Sequence, residues 1–214
     1  MYAKRARQLT RRAFHDDGAN MRIIAINHLT LDGVMQGPGD ADEDRRGGFT
    51  LGGWAAPRND QAMLEAIGKR MPKSDGGMLL GHLSYESMLS AWNARGGPYK
   101  DALNNIRKYV ASNSSSTSLR WPNSILLHGD VPAAISDMKS KSDGNLVIMG
   151  SGELIRSLMP HDLIDEYLLM IHPIVLGSGR RLFEHGIPPT GFTLTSSTPT
   201  STGVILCAFE PARS

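Results

Sequence analysis

Three stretches of this sequence set glycine or small hydroxyl residues at the end of an apolar run, a pattern with which backbone amides and hydroxyls can hold a phosphate. The first is Gly150-Ser151-Gly152, which follows the run Asn145 to Met149 and leads into Glu153-Leu154 and a helix-like stretch ending at Leu158. Glycine lets the backbone approach an anion closely, and the free amides of a helix start favour negative charge. The second is Gly81-His82-Leu83-Ser84 after Met78 to Leu80, and the third is Ser112-Asn113 after Tyr109 to Ala111. The full Gly-x-Gly-x-x-Gly fingerprint is absent, so each turn alone is equally a plain tight connection. Their coincidence carries more weight, because ligands of open α/β sheets gather at the carboxyl ends of strands.

Other residues have chemistry worth weighing. Asp32 precedes Gly33 after an apolar run, which suits either a turn-forming aspartate or a group that binds a heterocycle and relays a proton to it. Trp54 is a core or rim aromatic, or a flat stacking surface if exposed. The seven histidines make no ligand-spaced pair on a helix, so no metal is expected. His172, before Pro173 in an apolar run, reads as a hydrogen-bonded core imidazole. Arg180 and Arg181 follow Gly177-Ser178-Gly179 and read as a solvated basic pair or an anion contact. Cys207, the single cysteine, reads as a small buried hydrophobe.

These residues need a frame, and the apolar pattern supplies one. Strands are predicted at Arg22 to Asn27, Gly77 to Leu80, Lys108 to Ser112, Ser124 to Leu127, Asn145 to Met149, Glu166 to Pro173, Phe192 to Thr195 and Val204 to Phe209. Asn59 or Asp60 can cap a helix whose Met63, Leu64, Ile67 and Met71 share one face. Further helices are predicted over Leu83 to Ser90, Tyr99 to Arg107, Pro132 to Lys139 and Ser151 to Leu158. Alternating elements, unalternating apolar strands and a helix-free end imply an α/β sheet covered on both faces, with an antiparallel C-terminal edge formed across a polar loop from Ser196 to Gly203. The Gly-rich acidic stretch from Gly37 to Gly53 is the one long segment without a predicted element, a binding loop or a disordered tip.

The chain has 214 residues and a formal charge of +2, but the positive charge sits at one end. Lys4, Arg5, Arg7, Arg11 and Arg12 stand against Asp16 and Asp17 in residues 1–20, leaving 18 basic and 19 acidic residues and a net −1 for the remainder. Residues 1–20 carry no apolar run for a signal or anchor and read as a basic extension. Residues 21–214 then form a single domain whose Met21 resembles a natural start. A body without a basic stripe argues against nucleic acid, and a lone thiol suits the cytoplasm.

From Met21 onward the chain resembles the dihydrofolate-reductase-like superfamily, and specifically the C-terminal reductase domain of the bifunctional riboflavin-biosynthesis deaminase-reductase. The resemblance is carried by TLDGVMQGP (Thr30 to Pro38), GGW (Gly52 to Trp54), LLGHLSYE (Leu79 to Glu86), KYVAS (Lys108 to Ser112), GSGEL (Gly150 to Leu154) and LIDEYLLMIHPIVLGSGRRLF (Leu163 to Phe183). It implies a three-layer α/β/α fold with a mixed sheet of about eight strands, and NADPH laid across the strand ends toward a pterin- or pyrimidine-like substrate. By the same resemblance, Gly150, Ser151, Gly152, Glu153 and Leu154 hold the pyrophosphate. Gly81, His82 and Ser84 meet the adenosine side, Ser112 and Asn113 lie near the 2′-phosphate, and Asp32, Trp54 and Gly177 face the substrate. Association as a homodimer through sheet edges is also implied.

Four positions depart from the family pattern. His82 and Asn113 stand where arginine and a basic or hydroxyl residue are usual, with Arg120 or Lys108 as possible substitutes for the 2′-phosphate. Ile26 and Val34 stand near Asp32-Gly33 where basic residues are usual, which argues against a phosphoribosyl substrate. NADH or FMN in place of NADPH, a dihydrofolate-type reductase, and a non-catalytic nucleotide- or flavin-binding protein therefore stay open. The zinc deaminase half is excluded for this sequence, which has no His-x-Glu and no Pro-Cys-x-x-Cys.

Overall fold

Strands form where Val, Ile, Leu and Met run together between glycines and polar turns, and helices where apolar residues recur at three and four. In the computed structural model, residues 21–72, 75–184 and 187–212 are described. The basic extension expected at 1–20 lies outside the described residues. The elements run β1 (Arg22–Thr30), α1 (Gln61–Gly68), β2 (Gly77–Gly81), α2 (His82–Arg95), α3 (Gly97–Asn105), β3 (Lys108–Ala111), β4 (Ser124–Leu127), α4 (Val131–Lys141), β5 (Asn145–Met149), α5 (Gly152–Leu158), β6 (Glu166–His172), β7 (Phe192–Pro199) and β8 (Ile205–Pro211).

One sheet holds all eight strands in the order β4-β3-β2-β5-β1-β6-β8-β7. The first six are parallel, and β8 runs antiparallel to β6 and β7. Both faces are buried, which explains the unbroken apolar runs. Ile23, Ala25, Leu146 and Ile148 pack with Ile135 of α4 and Leu154, Ile155 and Leu158 of α5. On the other face Ile24, Ile26, Val147, Leu168 and Met170 lie with Met63 of α1. Met78, Leu80 and Val110 are covered by Tyr85 and Leu89 of α2 and Leu103 of α3. Each such buried side chain contributes roughly 1.5–3 kcal/mol.

Element ends shift for local reasons. The Asp60 side chain caps α1, accepting from the Ala62 amide at 2.7 Å. Helix α2 continues past Ser90 to Arg95, where Gly96 at φ +72° ends it. Helix α3 stops at Asn105 because Lys108 folds back on it, its Nζ donating to the carbonyls of Leu103 at 2.6 Å and Ile106 at 2.7 Å. Strand β7 runs to Pro199, so Ser196 to Pro199 belong to the sheet and only the turn 200–203 links it to β8. A bulge between Leu194 and Ser196 and an exposed Ser/Thr face hid this from the apolar pattern. Residues 37–53 hold one 3-10 turn (Arg46–Gly48) and are pinned rather than loose: Gln36 Nε2 donates to the carbonyls of Arg46 at 2.9 Å and Asp44 at 3.3 Å. Glu43 accepts from the amide of Gly39 at 2.6 Å.

Lys108 is wholly buried, and its removal strips the donor from the carbonyls of Leu103, Asn104 and Ile106. Lys108→Met is expected to lower stability by about 2–3 kcal/mol in a urea melt. An unchanged midpoint would show that the lysine is not a structural cap.

Candidate functional site

Two of the three strand ends meet at Ser151, between β5 and α5. Its backbone is left-handed, with φ 53° and ψ 45°. Its amide donates to Ser84 Oγ at 3.1 Å, its hydroxyl accepts from the Gly81 amide at 3.0 Å and donates to the Met149 carbonyl at 3.2 Å. Gly81, Ser84 and Ser151 thus form one linkage joining the β2–α2 and β5–α5 junctions. The turn is also tied to β1, because Gly150 donates its amide to Ile26 O and accepts from Asn27 Nδ2, each at 3.3 Å. Gly152 is buried, and a Cβ there would stand 2.4 Å from Met35 Sδ. The Leu154 side chain belongs to the core, which leaves only its main chain for a ligand. Glu153 pairs with Arg180, whose amide donates to Gln36 Oε1 at 3.0 Å.

The third strand end lies beyond β2. Ser112 Oγ shares a hydrogen bond with Thr117 Oγ1 at 2.7 Å and accepts from the Ser114 amide, while Asn113 is exposed. Neither substitute for a 2′-phosphate partner is free: Arg120 is paired with Glu86, and Lys108 is buried as the cap of α3. His82 Nε2 is 3.7 Å from the same Glu86.

Asp32 is a staple. Its Oδ1 accepts from the Thr30 hydroxyl at 2.6 Å and the Leu176 amide at 3.2 Å, and its Oδ2 accepts from the Gly177 amide at 2.9 Å. Arg181 adds an ion pair at 3.5 Å and donates to the Asp32 carbonyl at 2.8 Å. The Thr30 hydroxyl above all, with the amides of Gly177 and Leu176, pulls the carboxyl down to about 2. Held there, the carboxyl is ionised at neutral pH. Gly177, at φ +73° with open space around its Cα, tops this turn.

Trp54 is buried, so the exposed stacking surface is corrected to a core role. Its indole N–H donates to the Gln36 carbonyl at 2.8 Å, and its ring meets His172 edge-on at 5.2 Å. His172 is fully buried as expected, but it is not fully hydrogen-bonded. Its Nε2 is 2.9 Å from His28 Nδ1, and its Nδ1 has no partner. Burial and the His172 neighbour push His28 down to about 3, and burial with nearby Arg58 pushes His172 down to about 4. Asn27 Oδ1 is the other buried side-chain atom without a partner among the described residues. The His172 atom lies at the carboxyl end of β6, whereas Asn27 lies within β1, on the face shared by Ile23, Ala25 and Leu29. The histidine pair escaped sequence reading because its members are 144 residues apart and meet only through the β1–β6 register, which sets Thr30 opposite His172.

A parallel sheet with one antiparallel strand near its edge, and turns gathered at the carboxyl ends, define the dihydrofolate-reductase-like α/β class. The chain belongs to the RibD C-terminal domain family, whose profile matches residues 22–206. The chain is similar to two Bacillus subtilis (strain 168) proteins named as uncharacterised: YwjB is 41% identical over 47 residues, 22% of this chain and 27% of that protein. YyaP is 25% identical over 104 residues, 49% of this chain and 54% of that protein. The match therefore spans about half, or less, of these curated relatives. Among solved structures, a Shewanella sp. PV-4 protein named for riboflavin biosynthesis superposes with TM-score 0.63 at 20% identity, covering 90% of this chain and 100% of that one. Enterococcus faecalis dihydrofolate reductase complexed with NADP(H) gives 0.59 at 14%, covering 90% and 97%. A pyrimidine reductase-like protein of Corynebacterium diphtheriae gives 0.59 at 11%, covering 90% and 92%.

The Asp32 staple has a pH signature. A carboxyl held at about 2 against an ordinary 3.8 stabilises the fold fully above 3.8 and ceases to do so as pH falls through about 2. Asp32→Asn is expected to cost about 1–2 kcal/mol at pH 6, with the gap from wild type closing between pH 4 and 2 in acid-titrated melts. A gap independent of pH would contradict the staple.

Proposed function

We propose that this protein is an NAD(P)H-dependent reductase of a small pyrimidine- or pterin-like heterocycle, similar in reaction to the aminouracil reductase of riboflavin biosynthesis. The observation that carries the reading is the gathering of Gly81, Ser84 and Ser151 into one linkage at the strand ends, beside Asn27, which donates to the Gly150 carbonyl and keeps a buried Oδ1 without a partner among the described residues. Family membership and the NADP(H) complex of one structural neighbour support the same choice.

The start of α5 suits the diphosphate part of a dinucleotide: the amides of Gly81, Gly150 and Ser151 are already donated within the protein, so those of Gly152, Glu153 and Leu154 are the ones that would meet it. An added Cβ at Gly177 would meet nothing within 4 Å, so backbone there is open to a ligand, whereas one at Gly81 would already touch Ser151, at 3.7 Å. Gly150, Ser151, Gly152, Glu153 and the main chain of Leu154 would hold the pyrophosphate, with Gly81, His82 and Ser84 toward the adenosine and Ser112 and Asn113 at its ribose. When bound, the nucleotide supplies a hydride. Reduction of a C=N bond also needs a proton. With Asp32 ionised and His28 and His172 neutral, Asp32 would relay a solvent proton to the ring rather than hold one of its own. Asp32, partly exposed, fixes the Gly177 turn, and Trp54 acts from behind the surface by backing His172.

The pairing of Arg120 and burial of Lys108 favour a weak hold on the 2′-phosphate. NADPH and NADH at millimolar concentration are therefore both expected to raise the melting temperature by several degrees, with affinities within about tenfold of each other. No shift with either overturns the reductase reading, and a shift with FMN alone, without turnover of any pyrimidine or pterin, favours the flavin-binding alternative. The outer edge of β7 is exposed along nearly its whole length, which supports a homodimer built through it. Light scattering is expected to give twice the chain mass, and a monomer mass would contradict that assembly.

A further inference from the structure

The pair His28–His172 does nothing for the core that two apolar residues would not do better. On the same face of β1 stand Ile24 and Ile26, packed under Met63, whereas the next residue on that face is an imidazole. Two buried or half-buried imidazoles with one orphaned nitrogen are a net cost unless something uses them.

Their geometry says which atoms are available. One proton is shared along the 2.9 Å line between His28 Nδ1 and His172 Nε2, and it comes from one ring or the other. If His28 donated it, His172 would carry its own proton on the buried, partnerless Nδ1. An orphaned buried N–H is rarer than an orphaned lone pair. His172 Nε2–H therefore donates, His172 Nδ1 keeps a lone pair, and the proton of neutral His28 sits on Nε2. Among the described residues Nε2 has no partner and is not sealed off. His28 is the one residue of 23–30 that is left partly exposed. Trp54 holds the far ring of the pair edge-on, and Met170 lies opposite His28 on β6.

We propose that His28 is a substrate-binding residue that presents Nε2–H to a carbonyl oxygen or unprotonated ring nitrogen of a neutral planar heterocycle, with His172 as the positioning residue that fixes its tautomer. This deepens, and in its choice of ligand rests on, the reductase reading above. A neutral donor selects a neutral acceptor: neither imidazole offers the charge a carboxylate or phosphate would seek, and the nearby Arg58 donates to the Trp54 carbonyl at 3.2 Å.

The test is a nitrogen-15 imidazole spectrum of the whole protein, with uracil and 5-aminouracil as probes in the absence and presence of saturating NADPH. The free protein is expected to show His28 protonated on Nε2 and unprotonated on Nδ1. One or both pyrimidines are expected to move the Nε2–H signal, and His28→Ala to weaken their binding about tenfold. His172→Leu is expected to let the His28 tautomers mix, and His172→Gln, whose amide can donate to the same Nδ1, to restore the single form. A proton on Nδ1 in the wild type, or a His28 signal that neither pyrimidine moves, overturns the assignment. These outcomes are separate from the nucleotide melt: a shifted His28 signal without nucleotide binding would sink the reductase and keep the binding residue, and the reverse would do the opposite.

Discussion

The ligand end of this sheet depends on a serine held in a left-handed backbone. That conformation costs Ser151 about 1–2 kcal/mol, and its amide and hydroxyl bonds to Ser84, Gly81 and Met149 are what offset it. Strain of this kind survives only where the surroundings over-determine it. Here the surroundings are the ends of two neighbouring strands and the starts of two helices, so the same bonds that hold the serine also set the spacing between the junctions. Asn27 adds β1 to the arrangement through the Gly150 carbonyl.

Around this point the charge is already balanced. Arg120 is paired with Glu86, Arg180 with Glu153 and Arg181 with Asp32. The domain after residue 20 carries a net −1, so no long-range field draws an anion in. Attraction for a phosphate has to come from aligned amides and hydroxyls at the turns, and discrimination between ligands from neutral donors such as the histidine pair. That division suits a site that grips a dinucleotide by its diphosphate and reads a heterocycle by its shape and its acceptors.

The sheet was legible because central parallel strands buried on both faces write themselves as apolar runs: Asn145 to Met149 is a strand with the ends expected, and so is Ser124 to Leu127, a short apolar run at the sheet edge. Strand β7 was half legible, since its exposed Ser/Thr face leaves no apolar alternation and its bulge breaks the period. The glycine turns could be read from composition and position. The roles of Arg120, Lys108 and Trp54 could not, because whether a cation or an indole is free depends on what folds against it: Glu86, the end of α3, and His172 with Gln36. The histidine pair lies furthest from the sequence, being a product of strand register alone.

The most direct measurement of the central idea, that these strand ends seat a pyridine nucleotide, is the amide footprint of NADPH by hydrogen exchange. The site described here predicts slowed exchange at 81–84, 112–113 and 150–154, with little change elsewhere. Protection confined instead to the groove of about 320 Å³ lined by Ala66, Leu168, Thr198 and Leu206 between α1 and the β7–β8 edge would contradict it.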